Sequence, residues 1–241
     1  MKIIAIIQAR MGSTRLPGKV LLPLGSSVVL DYVVSRCQTI KSVVEVIVAT
    51  SSSEQDDEIY EWCLERNVPC YRGSEEDVLS RYYECARSFS TNYVMRVTAD
   101  CPFVDIDLAN ATVEAMLRNS SDIVVLKGEL PRGLAVELVS FAALEKMYVD
   151  GQEPRHREHV TYYAYEFPQY FSSTELQVPT NKQYPRLRIT LDTEEDYQLC
   201  QKIANQFPDN LLVPSQQVIE FLLQHPAIAA INAHIEQKPV L

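Results

Sequence analysis

Short apolar runs alternate with amphipathic segments through the first half of the chain. The runs are rich in β-branched residues, which is typical of strands that a parallel sheet buries on both faces. They cover residues 3–7, 43–50, 68–71, 93–98 and 123–126. The intervening segments place their apolar residues at helical spacing, at 28–40, 54–66, from Ser74 onward, and at 105–119. This alternation predicts an α/β fold, Rossmann-like, with a doubly wound and mainly parallel sheet.

Residues 127–180 break this regular order. They contain several glycines and prolines and the aromatic run YYAYEFPQYF. We interpret the segment as a small insertion that covers one side of the site, acting as a lid or a dimer surface, with packing into the core as the alternative. Residues 187–191 are expected to return to the sheet, followed by helices at 193–206 and 215–224. Since no repeat or linker is visible, a single domain over 1–241 is expected.

Composition and charge narrow the classes of function. The chain has 46% hydrophobic residues and a formal charge of −10. An acidic surface repels nucleic acid and anionic membranes, so neither is expected as a partner. The six cysteines form no CxxC pair. There is also no signal-peptide pattern and no apolar run long enough to span a membrane. We expect a reduced, cytoplasmic protein.

The loop QARMGSTRLPGK, residues 8–19, follows the first predicted strand and concentrates positive charge. Arg10, Arg15 and Lys19 offer guanidinium forks and an ammonium group to phosphate oxygens. Glycines let backbone N–H groups approach an anion closely. The loop lacks the Walker A pattern. A solvated loop whose cations pair with nearby acids is the weaker alternative. The other candidate nucleotide-binding residues here are Gln8, Ala9, Met11, Gly12, Ser13 and Thr14.

Two aspartates are predicted at the same edge of the sheet. Asp100 lies in TADCP after the predicted strand 93–98, and Asp192 lies in LDTEED after 187–191. Transfer of a nucleotidyl group needs a divalent cation, and Mg²⁺ prefers carboxylate oxygens. The alternative for Asp100 is a turn before a proline. The alternative for Asp192 is a helix N-cap with a capping box in the residues that follow.

Five motifs together resemble one enzyme family. They are IIQARMGSTRLPGKVL at 6–21, RGSEEDVLSRY at 72–82, the aspartate motifs TADCP and DTEED, and REHVT at 157–161. They resemble the cytidylyltransferases that make CMP-activated sugars, and in particular the spore-coat polysaccharide biosynthesis protein F branch. The resemblance implies a fold like that of nucleotide-diphospho-sugar transferases, CTP as substrate and a homodimer.

The resemblance also implies roles for individual residues. Asp100 and Asp192 would hold Mg²⁺, and Arg72 and Asp77 would lie near the nucleotide. CMP would pass from CTP to a sugar acid or a small phosphorylated acceptor, with release of pyrophosphate, in polysaccharide or surface-glycan biosynthesis. No residue stands out as a general base.

The acceptor side matches the family less well. The family often has G-x-D-V-E where this chain has GLAVE, so Ala135 replaces an acid. Glu137 remains a candidate for substrate binding, with a polar residue at a strand edge as the alternative. Arg157 and His159 are candidates too, with a dimer contact or a structural cluster as the alternative. Arg188 could neutralise substrate or be solvated.

Two other functions fit parts of the pattern. A glycosyltransferase that uses nucleotide sugars would also place a carboxylate after a central strand, but would not need the loop at 8–19. A catalytically weakened nucleotide-binding subunit would explain Ala135.

Overall fold

A seven-stranded sheet forms the centre of the computed structural model, which describes residues 1–236. The nine strands within these residues are β1 (Ile3–Gln8), β2 (Pro23–Leu24), β3 (Ser27–Val28), β4 (Val43–Ser51), β5 (Cys70–Gly73), β6 (Tyr93–Thr98), β7 (Ile123–Lys127), β8 (Glu137–Ser140) and β9 (Ser173–Gln177). The central sheet has the order β5-β4-β1-β6-β8-β7-β9, and β2 and β3 form a separate two-stranded sheet.

Ten α-helices accompany these strands in the described part of the chain. They are α1 (Val29–Gln38), α2 (Asp57–Glu65), α3 (Val78–Ser88), α4 (Ile106–Asn119), α5 (Phe141–Asp150), α6 (Pro154–Glu158), α7 (Tyr162–Glu166), α8 (Glu194–Gln206), α9 (Ser215–Gln224) and α10 (Pro226–Ala229). Short 3-10 turns occupy Lys19–Leu21, Glu54–Asp56, Pro168–Tyr170 and Thr180–Lys182.

Most neighbouring strands in the sheet run parallel. β4 and β6 flank β1 in parallel, β5 adds in parallel to β4, and β9 pairs in parallel with β7. Only β8 is antiparallel to both of its neighbours, β6 and β7. The doubly wound, mainly parallel sheet that the sequence predicts is therefore confirmed. The parallel strands β1, β4 and β6 direct their carboxyl ends toward one edge, where ligands bind in such folds.

The core lies on both faces of β1. Ile3, Ala5 and Ile7 belong to an apolar cluster shared with α1, α2 and α4, while Ile4 and Ile6 belong to a cluster shared with α3, α5 and α7. This explains why β1 is a continuous apolar run, since helices cover it on both sides. A third cluster, under α8 and α9, supports the segment that leads to Asp192.

Three predictions about elements were wrong. The segment 127–180, which we expected as an insertion covering one side of the site, supplies β8 and β9 to the sheet itself. Residues 187–191 form no strand, and their one β-bridge joins Arg188 to Arg132. The helix expected from Ser74 begins at Val78, because Asp77 is its N-cap and accepts a hydrogen bond from the Ser80 amide at 2.8 Å.

A helix that crosses a bilayer needs about 20 consecutive, mainly apolar residues. None of the helices in residues 1–236 combines the length and apolar character needed to cross a membrane.

Candidate active site

The loop after β1 folds back on itself. The backbone amides of Ser13 and Gly18 both donate to the carbonyl oxygen of Met11, at 2.8 and 3.0 Å. Gly18 has φ of 68°, a left-handed conformation that favours glycine. From the connection after β4, the buried carboxylate of Asp56 accepts a hydrogen bond from the Met11 amide at 2.7 Å. The loop is thus fixed at Met11, and it delivers Lys19 to the start of a 3-10 turn.

Lys19 lies between the two predicted metal ligands. Its Nζ donates to Asp100 Oδ2 and to Asp192 Oδ1, each at 2.8 Å. The guanidinium of Arg15 lies 3.2 Å from the same Asp192 oxygen. Asp100 and Asp192 are also joined through backbone, because the Leu191 amide donates to the Asp100 carbonyl oxygen at 2.8 Å. The fold therefore brings together three segments that are far apart in the chain.

The charges of this cluster stabilise one another. Burial of the Asp100 carboxyl group disfavours its ionisation, but the Lys19 ammonium group outweighs that cost and lowers the pKa of Asp100 to about 2. Burial likewise disfavours the charge on Lys19, and the two carboxylates outweigh it and raise the pKa of Lys19. At neutral pH the centre therefore holds a cation between carboxylates.

Asp192 is held from behind by a second buried ion pair. Arg188 Nη2 donates to Asp192 Oδ2 at 3.0 Å, and Arg188 Nε donates to Asp196 Oδ1 at 2.8 Å. Asp196 Oδ2 accepts the backbone amide of Asp192 at 3.0 Å. Thr193, and not Asp192, is the N-cap of α8, with Asp196 as its capping-box partner. The Asp192 side chain is therefore free of the capping role and faces Lys19.

The donor set fits Mg²⁺ with a nucleotide bound. Mg²⁺ is usually held by one or two protein carboxylates, with phosphate oxygens and water completing its octahedral shell. Asp100 and Asp192 approach one point, which the ammonium of Lys19 marks. No group of three or more His, Cys, Asp or Glu side chains in residues 1–236 could enclose a metal. The protein thus offers two ligands, and phosphate would have to supply others.

A cleft of about 310 Å³ opens beside this edge, with Arg96, Thr98, Ala135, Glu137 and Tyr165 in its wall. Arg96 and Glu137 form an ion pair across it. Burial opposes the ionisation of Glu137, but the guanidinium of Arg96 outweighs this effect and lowers the pKa of Glu137. Arg96 was missed in the sequence analysis. The available signal was a single cation within the otherwise apolar β6, next to β1.

The cleft is continuous with the end of β1 through hydrogen bonds. Arg96 Nη2 donates to Gln8 Oε1 at 3.3 Å, and Thr161 Oγ1 donates to Glu137 Oε1 at 2.8 Å. Ala135 is exposed there, so the position where the family often has an acid faces solvent. Glu137 thus lies where a substrate group could reach, although its charge is already paired.

Other predicted site residues have structural partners in this structure. Arg72 donates to the carbonyl oxygens of Ser51 and Ser53, each at 2.9 Å, and so ties β5 to the connection after β4. Arg157 Nε donates to Asp77 Oδ2 at 2.9 Å, which joins α6 to α3. Their polar groups therefore connect elements of the fold and do not converge on Lys19.

The remaining predicted residues are more open. His159 is half-buried, with its ring centroid 6.3 Å from that of Tyr162. Arg10 and Thr14 are exposed, and Arg10 forms no ion pair within residues 1–236. An exposed, unpaired cation beside the site can still turn toward an anionic ligand.

The fold, together with the carboxylates flanked by cations, assigns this protein to the class of nucleotidyltransferases. The family model for cytidylyltransferases matches residues 4–231, so the chain belongs to the cytidylyltransferase family. The family resemblance stated from the motifs is confirmed, and the glycosyltransferase alternative is not supported.

Similar proteins span the full length of the chain. The uncharacterized protein MJ1063 of Methanocaldococcus jannaschii is 40% identical, over 99% of this chain and 97% of its own. The spore coat polysaccharide biosynthesis protein SpsF of Bacillus subtilis is 34% identical, over 94% and 96%. The structure of a cytidylyltransferase from Leptospira borgpetersenii aligns with a TM-score of 0.89 at 29% identity, over 99% of this chain and 100% of that one.

Proposed function

We propose that this cytidylyltransferase requires Mg²⁺ and transfers CMP from CTP to a sugar acid or a small phosphorylated acceptor, with release of pyrophosphate. The observation that carries the proposal is the position of Lys19 between Asp100 and Asp192, at the end of a cationic loop. The name of the Bacillus subtilis relative refers to spore-coat polysaccharide. It supports a role in surface-glycan biosynthesis.

The loop residues bind the triphosphate. Arg10, Arg15 and Lys19 contact its oxygens, together with backbone amides near Gly12. To do so, Lys19 turns from the carboxylates to the phosphates, which leaves Asp100 and Asp192 to ligate the metal. When bound, Mg²⁺ supplies Lewis-acid stabilisation of the charge that develops on the triphosphate.

The reaction is an in-line displacement. An acceptor oxygen forms a bond to the α-phosphorus, and the bond from that phosphorus to the bridging oxygen of the β-phosphate breaks, so that pyrophosphate leaves. A phosphate acceptor is already ionised at neutral pH and needs no general base. A sugar hydroxyl acceptor transfers its proton to solvent.

We place the acceptor over the cleft beside Gln8. Arg96 and Glu137 form its charged floor, and their mutual pairing leaves the floor close to neutral. Ala135 removes an acid that family members often have at the rim, which lowers the repulsion of an anionic acceptor. His159 contacts the acceptor on this side of the site. A homodimer and a cytoplasmic location belong to the same proposal.

The test is pyrophosphate release with each of the four nucleoside triphosphates, with and without Mg²⁺, over a panel of sugar acids and sugar phosphates. We expect turnover with CTP and Mg²⁺ only. Asp100→Asn and Asp192→Asn should each lower kcat at least about 100-fold, the range seen when one electrostatic contact to a transition state is lost.

Asp107→Asn is the matched control, since this aspartate is exposed on α4. It should retain normal activity. Turnover with GTP or UTP but not CTP would overturn the nucleotide assignment, and normal Mg²⁺-dependent rates in both site variants would overturn the metal assignment.

A further inference from the structure

Asn232 is a fully buried amide in the segment that follows α10. Its Nδ2 donates to Asp196 Oδ1 at 2.7 Å and to the backbone carbonyl oxygen of Arg188 at 3.0 Å. Its Oδ1 has no hydrogen-bond partner in residues 1–236. Both partners of the amide are acceptors, so only the NH₂ group can face them. Asn232 thus acts as a double donor to the network behind Asp192.

Asp196 is the point where this network meets. Its Oδ1 accepts hydrogen bonds from Arg188 Nε and Asn232 Nδ2. Its Oδ2 accepts hydrogen bonds from Arg188 Nη2 and from the backbone amides of Asp192 and Thr193. Asp196 is fully buried, so these donors replace water entirely. Any movement of Asp196 therefore moves the backbone of Asp192.

A second route to Asp192 runs through Arg188. Arg188 Nη2 donates to both Asp196 Oδ2 and Asp192 Oδ2, each at 3.0 Å, and so fixes the rotation of the Asp192 carboxylate. Asn232 holds the backbone of the same arginine. One amide therefore restrains both the backbone and the side chain of Asp192, although it touches neither.

We propose that Asn232 is a positioning residue of the nucleotidyl-transfer site, which orients Asp192 through Asp196 and Arg188 and thereby sets the affinity for the divalent cation. The inference rests on the proposed metal role of Asp192. It adds a residue that lies just beyond the part of the chain that the family model matches, residues 4–231. Residues behind metal ligands commonly control affinity in this way, with losses of about 10- to 100-fold on mutation.

The experiment measures Mn²⁺ binding to the full chain by electron paramagnetic resonance, at saturating CTP and without acceptor. Asn232→Ala should raise the Kd for Mn²⁺ about 10-fold. CTP binding in EDTA should stay unchanged, because Lys19 and Arg15 meet this network only at Asp192 Oδ1, which they leave when they bind phosphate. Asn205→Ala is the matched control, since Asn205 is exposed on α8, and it should bind Mn²⁺ as the original protein does.

A double-mutant cycle separates positioning from general loosening of the fold. In an Asp192→Asn background, Asn232→Ala should cause no further loss of Mn²⁺ affinity. A full additional 10-fold loss there, or unchanged affinity of the single variant, would overturn the inference. Unchanged Mn²⁺ affinity in Asp192→Asn alone would instead overturn the metal role of Asp192, and this inference with it.

Asn232→Asp tests the donor role of the amide without the cavity that alanine leaves, because the two side chains have nearly the same volume. It keeps the side-chain shape but places an acceptor against Asp196 and the Arg188 carbonyl oxygen. We expect at least the same loss of Mn²⁺ affinity, measured below the Tm of the variant. Affinity equal to that of the original protein would overturn the inference.

Discussion

At the scale of single residues, Asp56 connects the end of β4 to the cationic loop. Its Oδ1 accepts the Met11 amide at 2.7 Å, and its Oδ2 accepts the Ser51 hydroxyl at 2.5 Å. The side chain is fully buried. A buried carboxylate that collects hydrogen bonds is a strong restraint, because each lost partner leaves a desolvated group behind.

Asp56→Asn should therefore loosen the loop while leaving its cations in place. The new amide has one acceptor oxygen, so either the Met11 or the Ser51 backbone amide loses its acceptor. We expect the free energy of unfolding to fall by about 1–3 kcal/mol in urea titrations. CTP binding by calorimetry should weaken about tenfold, or about 1.4 kcal/mol. Glu58→Gln, at an exposed position of α2, is the control, and an equal effect of both variants would contradict the prediction.

Cysteine reactivity offers a second prediction at this scale. Burial raises the pKa of Cys37 and of Cys85 to about 12. A hydrogen bond from Cys63 lowers the pKa of Cys70; burial opposes that shift, and the nearby Arg72 adds to it. Thiolates react and thiols do not. At pH 8, iodoacetamide should thus modify Cys70 before Cys37 or Cys85, as mapped by mass spectrometry.

Cys70→Ser should remove the fast phase of this labelling. Because the buried thiols keep their protons until the pH approaches 12, their labelling should rise only under strongly alkaline or denaturing conditions. Early labelling of Cys37 in the native protein would contradict the assignment.

At the scale of elements, Gly133 lets two irregular segments lie side by side. It has φ of 98°, and a Cβ there would lie 2.6 Å from the carbonyl oxygen of Ile189. On either side of this contact, the Arg132 amide donates to Leu187 O and the Ile189 amide donates to Arg132 O. The close backbone approach supports the segment that ends at Asp192.

Gly133→Ala should therefore cost about 1–3 kcal/mol of unfolding free energy from backbone strain alone, and more from the overlap with Ile189. Gly12→Ala is the control for stability, since the atoms nearest to its Cβ would belong to the flexible Gln55 side chain, at 3.2 Å. Urea unfolding of both variants is the measurement. Equal midpoints would show that the backbone at Gly133 can relax.

The elements that could be predicted from sequence are those with a strong local pattern. Residues 3–7 of β1 are apolar on both faces of the sheet because helices cover both faces. β8 has only four residues and pairs antiparallel in the middle of the sheet, so neither its length nor its neighbours distinguish it from a loop. In residues 187–191, Leu187, Ile189 and Leu191 alternate with polar residues and are covered by α8 and α9, and the same alternation is typical of a strand.

From the sequence, the site could be predicted only for residues whose positions follow from the geometry of a parallel sheet. Lys19 follows β1 and Asp100 follows the neighbouring β6, so their meeting follows from the strand order. Arg72 and Arg157 share the residue types of binding groups, but their partners Ser51 and Asp77 are fixed by packing between distant elements. Residue type alone, without knowledge of the neighbouring groups in three dimensions, does not distinguish a ligand-binding arginine from a structural one.

At the scale of the whole molecule, charge is distributed unevenly. The chain carries 32 acidic and 22 basic residues, yet the edge of the sheet collects Arg10, Arg15 and Lys19 in one loop. Screening limits the influence of distant carboxylates to about 8 Å at physiological salt. A nucleotide would therefore meet local cations within an otherwise acidic molecule.

The site also depends on most of the chain. Its groups come from the loop after β1, the end of β6 and the residues before α8, and Asn232 adds the segment after α10. Global unfolding separates all of them. A ligand that binds this site should therefore bind the folded state alone and stabilise the whole molecule.

We expect CTP with Mg²⁺ at about 100 times its Kd to stabilise the fold by about 2.7 kcal/mol. For a chain of this size, that corresponds to a rise in Tm of about 5–10 °C, measured by scanning calorimetry. Mg²⁺ alone should give much less, since in the proposed site the protein would supply two ligands and the phosphates would supply others. Lys19→Ala should lose most of the rise with CTP and Mg²⁺, whereas Lys202→Ala, at an exposed position of α8, should keep it. A rise that survives in Lys19→Ala would mean that the nucleotide is held elsewhere on the molecule.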